Sequence, residues 1–197
     1  MSAVTARLYT DPACPPDPEW LRLLWQHGDR VATELRMVVL RARRTDDWGV
    51  PGSDATVHAC RAVVAAGLRW PDRQMEFLRH LRVLSAAGEM LDDSDTLEIA
   101  AERAGLPVAE IAAYCAEPEV EAALQAQSGG ECGVIEVDGA LAAPRPPAAT
   151  AAEVLEWSGV PLTTDEIAAV CDRAVDEFEL ADVAHAAHGY WLLTRKP

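Results

Sequence analysis

Cysteine offers the most reactive chemistry in this 197-residue chain, which carries five: Cys14, Cys60, Cys115, Cys132 and Cys171. Their odd number and wide spacing argue against a disulfide framework, and no pair has zinc-finger spacing. Cys14 stands apart, because it lies where a strand-like segment gives way to a helical one. A cysteine at such a junction can be held as thiolate by unpaired backbone N–H groups and the helix dipole. Thiolate is the nucleophile of disulfide exchange. A Cys-x-x-Cys cycle needs a second thiol three residues on, and here that position is Asp17, in Cys14-Pro15-Pro16-Asp17.

The flanking elements must position that cysteine. Residues 4–10 alternate and carry β-branched and aromatic side chains, which predicts a strand. It stops at the proline-rich run 11–18. A helix follows to His27, and Gly28 ends it. Two starts are open. With Asp17 as N-cap and Pro18 at the first position, Cys14 lies outside the helix. With a start at Pro15, Cys14 is the cap and Pro18 costs a backbone hydrogen bond. In either case Asp17 and Glu19 put negative charge where a thiolate would sit.

Residues 31–40 read as a second strand, which makes a βαβ unit with parallel strands. Residues 45–54 are turn-rich, and about 55–127 reads as helices throughout. Residues 133–139 read as a strand, with Asp138-Gly139 turning into a hairpin partner at 140–142. Thr150 caps a helix through Trp157. The order βαβ, helical block, ββα is that of a thioredoxin fold with helices inserted between its halves. The expectation is an α/β, thioredoxin-like domain over 1–158 with an all-helical insertion. A small C-terminal appendix over 159–197 follows: a helix from Thr163 to Arg173, an acidic helix over 175–187 and a strand over 189–193. Helix, helix, strand resembles part of a winged helix.

The residues Leu8-Tyr9-Thr10-Asp11-Pro12-Ala13-Cys14-Pro15, with Leu23-Leu24-Trp25, Gly28-Asp29 and Arg36-Met37, resemble the DsbA-like thioredoxin-fold family. Within it they look like the FrnE-type and 2-hydroxychromene-2-carboxylate isomerase branch. Ala59-Cys60-Arg61-Ala62-Val63, Leu91-Asp92-Asp93 and Val137-Asp138-Gly139 extend the likeness across about residues 5–158. The resemblance implies thiol–disulfide exchange or thiol-dependent isomerisation, and an association with aromatic polyketide pathways. It makes Cys14 the nucleophile and gives the pocket Thr10, Asp11, Pro15, Pro16 and Asp17. The family's cis-proline position falls on Gly133, with Cys132 just before it, so Cys132 and Gly133 form the opposite wall. Cys14 and Cys132 are then neighbours, either as two reduced thiols or as a pair that forms a disulfide or shares a soft metal.

With 32 acidic residues against 17 basic, the net charge is −15, which excludes an ordinary phosphate-binding surface. The stretch 163–182 alone holds seven acids and one arginine. No run of about 18 apolar residues exists, so no membrane span is expected, and the wide-spaced thiols suit the cytoplasm. No cofactor or metal is expected, although a low-molecular-weight thiol fits the resemblance. His185 and His188 share a face if their segment is helical, but a third ligand is missing. Trp20, Trp25 and Trp157 read as core, and Cys60, Cys115 and Cys171 as inert helix thiols. Two functions follow: an enzyme-like protein acting on a small-molecule or protein thiol, or an inactive thioredoxin fold that binds a protein or a small molecule.

Overall fold

The computed structural model describes residues 4–38, 54–127, 131–181 and 184–193. Strand β1 (Val4–Thr10) leads through a proline-rich loop to helix α1 (Pro18–His27), and β2 (Val31–Met37) follows. Helices α2 (Asp54–Arg69), α3 (Pro71–Ala86), α4 (Ser94–Arg103), α5 (Val108–Tyr114) and α6 (Pro118–Gln127) come next. Then come β3 (Val134–Asp138), α7 (Ala151–Ser158), β4 (Leu162–Thr163), α8 (Thr164–Cys171), α9 (Glu177–Ala181), β5 (Ala184–Ala187) and β6 (Tyr190–Leu193).

The first sheet has the order β2-β1-β3. Arg7 pairs with Glu34, and Val38 N–H donates to Thr10 O at 2.7 Å. Both numbers rise together, so β1 and β2 run parallel. Gly133 N–H donates to Tyr9 O, whereas Arg7 pairs with Asp138. Here the numbers run oppositely, so β3 is antiparallel to β1. The expected hairpin at 138–142 does not form: 140–142 is not strand, and β3 ends its sheet among the described residues. Gly139 takes φ +111°, and a Cβ there would meet the Val4 side chain at 3.2 Å. The Asp-Gly pair thus serves close passage beside β1, and Pro144, Pro146 and Pro147 then keep the chain from joining a ladder.

The chain divides into two compact units, one of residues 1–8, 15–34 and 135–197, the other of 9–14 and 35–134. The second holds the helical block. Its α2 is buried over Ala62–Ala66 and packs on α3, α5 and α6, while α3 packs on α4. Phe77, Leu78 and Leu81 line the inner face of α3, each stabilising the block by about 1.5–3 kcal/mol.

In the other unit, α1 packs on α8, and Leu21 and Trp25 share one core with Val154, Leu162, Ile167 and Trp191. The tail beyond Gly159 therefore shares its core with α1 and α7. Its three strands form the antiparallel sheet β4-β6-β5. Thr163 caps α8 with a complete capping box to Glu166. The acidic helix expected over 175–187 is shorter, and its last four residues are β5. His185 therefore lies in a strand and His188 in a turn at φ +52°, which corrects the shared helical face. Trp20 and Trp25 are buried, but Trp157 is 39% exposed, with its ring edge-on to Trp25 at 5.2 Å. The turn-rich stretch 45–54 lies, but for Asp54, outside the described residues.

Candidate functional site

At its carboxyl end β1 delivers Thr10 and then Asp11, both fully buried. Proline at position 12 cannot continue the ladder, and the chain turns. Cys14 N–H donates to Asp11 O at 3.0 Å, and Ala13 N–H donates to Asp11 Oδ1 at 2.7 Å. Asp11 thus closes a turn with both its backbone and its side chain, the service for which short carboxylates are favoured in turns. The turn leaves Cys14 only 7% exposed.

A second segment arrives beside it. The Gly133 N–H bond to Tyr9 O (2.9 Å) draws residues 131–133 alongside the end of β1. Gly133 takes φ +80°, a conformation costly for any residue with a Cβ. Cys14 and Cys132 are joined in a disulfide with Cα atoms 6.3 Å apart, inside the roughly 4.4–6.8 Å window such a bond spans. It links positions 118 residues apart. Of the two alternatives read from the sequence, two reduced thiols or a pair, the structure holds the pair. Cys132 is half-buried and so the more exposed residue of the pair.

Behind the turn, Cys60 Sγ on α2 donates to Asp11 Oδ2 at 3.2 Å. On α3 the guanidinium of Arg82, itself buried, donates to Thr10 Oγ1. Burial pushes the Asp11 carboxyl above its ordinary range, opposed by the Ala13 N–H, the Cys60 thiol and the charge of Arg82. Burial, with the adjacent Asp11 charge and hydrogen bond, pushes the Cys60 thiol far above its ordinary range. Cys60 is therefore a fixed donor and not a nucleophile. Neither Cys60 nor Arg82 stood out as a site residue in the sequence. The one signal was the segment 59–63, where the likeness to the DsbA-like family continues.

The remaining expected site residues follow Cys14 in the chain. Pro15 is exposed and Pro16 half-buried. Asp17 is the N-cap of α1 without a side-chain capping bond, and Pro18 is the first helical residue. The later of the two starts is therefore the one adopted, and Cys14 is not the cap. Among the described residues no group of three or more His, Cys, Asp or Glu could hold a metal ion. No helix among them is long and apolar enough to cross a membrane.

The order of these elements matches a known arrangement. The chain is similar to the crystal structure of a candidate protein disulfide isomerase from Nitrosomonas europaea, with a TM-score of 0.51. The match covers 64% of this chain and 76% of that one, at 14% identity. The fold is thioredoxin-like. Helices stand between the two halves of its sheet. No family model and no curated relative matches the sequence. On this fold the Cys14–Cys132 disulfide joins the loop after β1 to the segment before β3, instead of closing a four-residue motif.

Proposed function

We propose that the protein carries out thiol–disulfide exchange through the Cys14–Cys132 pair, acting on a protein or low-molecular-weight thiol. The observation that carries this reading is one disulfide with unequal exposure: Cys132 is half-buried and Cys14 nearly covered. An incoming thiolate attacks Cys132 Sγ, forming a mixed disulfide and expelling Cys14 as thiolate, which takes a proton from water. A second thiol of the substrate then attacks the mixed disulfide. The substrate leaves oxidised, and both cysteines are left reduced after accepting two electrons and two protons. In reverse, the reduced pair reduces a substrate disulfide.

The surroundings favour the reductant direction. Strong oxidants stabilise their reduced form as thiolate. Here Cys14 is not the helix cap, and the Asp11 carboxyl closes the turn that holds Cys14. Nothing in that set rewards a thiolate. The finer reading, a FrnE-type or isomerase role in secondary metabolism, rests on the residue resemblance, and a cytoplasmic setting rests on the wide spacing of the thiols. A second reading keeps the same disulfide as a permanent staple in a thioredoxin fold that binds a protein partner. Its support is the same unrewarded thiolate.

A trapping experiment separates the two. In the Cys14→Ser variant the Cys132 thiol captures a disulfide-bearing peptide, and the mixed disulfide persists because nothing resolves it. In the native chain, reduced beforehand, the same adduct is released and the peptide is reduced. An inert Cys132 in the folded variant overturns the exchange reading and leaves the staple.

A further inference from the structure

Helices α2, α4 and α5, with Phe77 of α3, line a cavity of about 290 Å³ in the helical block that opens to solvent on one side. Each helix turns one stripe toward it, spaced three and four residues apart: His58 with Arg61 and Ala62 on α2, Leu97 and Ala101 on α4, Val108 with Ile111 and Ala112 on α5, and Cys115 follows just past the end of α5. Alanines at 62, 101 and 112 leave the gap that larger side chains would close. An apolar cavity of about 150 Å³ accommodates one benzene, so this one has room for about two fused rings. Its polar edge is asymmetric. Arg61 is held by Glu121 at 2.6 Å through one nitrogen, and a guanidinium carries five N–H donors. Its charge also reaches the Cys115 thiol, where it opposes the upward push of burial. Glu98 lies on the lining as well, within the run 89–121 that holds ten acids and one arginine.

We infer that this cavity is a binding site for a small, flat, uncharged molecule of about two fused rings, whose hydroxyl or carbonyl oxygen accepts from Arg61. A volume of about 290 Å³ is too small for a long peptide, and the acidic surroundings repel an anion of the same size. The site uses neither Cys14 nor Cys132 and is independent of the exchange chemistry.

The test uses 2-naphthol as probe, with the full-length oxidised protein and naphthol fluorescence as readout. Binding saturates in the micromolar range, and 2-naphthoate binds at least several-fold more weakly. Ala112 is exposed on α5, so Ala112→Trp fills the mouth without disturbing the core and abolishes binding. Arg61→Met weakens it about tenfold, the loss of one charge-assisted hydrogen bond. Cys115 is half-buried, while Cys60 and Cys171 are buried. Maleimide labelling mapped to Cys115 by mass spectrometry therefore slows at saturating naphthol in the native chain. The Cys14→Ser variant binds unchanged, so failure here and failure of the exchange reading are separate results. No saturable binding, tighter binding of the naphthoate, or undiminished labelling of Cys115 overturns the inference.

Discussion

Cys60 Sγ on α2 donates to the buried Oδ2 of Asp11 at 3.2 Å, across 49 residues of chain. That bond fixes the carboxylate whose other oxygen and backbone carbonyl shape the turn carrying Cys14. Removing the donor leaves a buried carboxylate oxygen short of a partner, a defect of about 1–3 kcal/mol. Cys60→Ala is expected to lose that amount in urea unfolding, and Cys60→Ser, which keeps a donor, distinctly less. Equal losses would mean that the thiol only fills space.

The raised pKa of Asp11 ties stability to pH with a definite sign. The folded state holds the Asp11 proton more tightly than the unfolded one. Its contribution is fully present below the unfolded value of about 3.9 and is lost as pH rises through the folded pKa. Asp11→Asn keeps an oxygen acceptor for Ala13 N–H and removes the titration. The variant is expected to gain on the native chain as pH rises from about 4 to 7, read as the difference in denaturation midpoints. A constant difference over that range would contradict this assignment.

The disulfide closes a loop of 118 residues' separation. In the chain-entropy account such a closure stabilises by about 5 kcal/mol, with measured losses on removing native bridges of about 2–5. The Cys14→Ser and Cys132→Ser variants are each expected to fall by about 2–5 kcal/mol and to resemble the reduced native chain. Stability unchanged by reduction would mean that the bridge is not formed in solution.

Gly133 stands at φ +80° beside Cys132. A Cβ in the left-handed region costs about 1–2 kcal/mol. Gly133→Ala is expected to lose that much in thermal unfolding and to loosen the contact of residues 131–133 with Tyr9. Faster hydrogen exchange of the amide at position 133 would report the second effect. An alanine variant as stable as the parent would remove the argument that glycine is required.

The sequence made some of this legible and hid the rest for physical reasons. Strand β1 was readable to its last residue, because alternation and the proline stop act over a few positions. Thr150 and Thr163 announced their helices through local hydrogen bonds, which both are found to make. Strand β5 was not readable: Ala-His-Ala-Ala has helical preference, and pairing with β6 overrides it. The missing hairpin at 138–142 was equally hidden, since an Asp-Gly pair marks a turn without saying whether a strand follows. The neighbourhood of Cys14 and Cys132 came from element order and the likeness to the DsbA-like family. The bond from Cys60 to Asp11 leaves no periodic trace, because it joins a helix interior to a loop 49 residues away.

The central claim is that Cys14 and Cys132 form a reversible redox pair. Its most direct test equilibrates the full chain in glutathione buffers of stepped potential, quenches with acid, alkylates and weighs the intact protein. The account predicts one two-electron transition adding two alkyl groups, mapped to Cys14 and Cys132, with a midpoint of roughly −230 to −280 mV, the reducing part of the range for such proteins. A pair that stays oxidised at every potential at which the chain remains folded, or that reduces only as the chain unfolds, would contradict it.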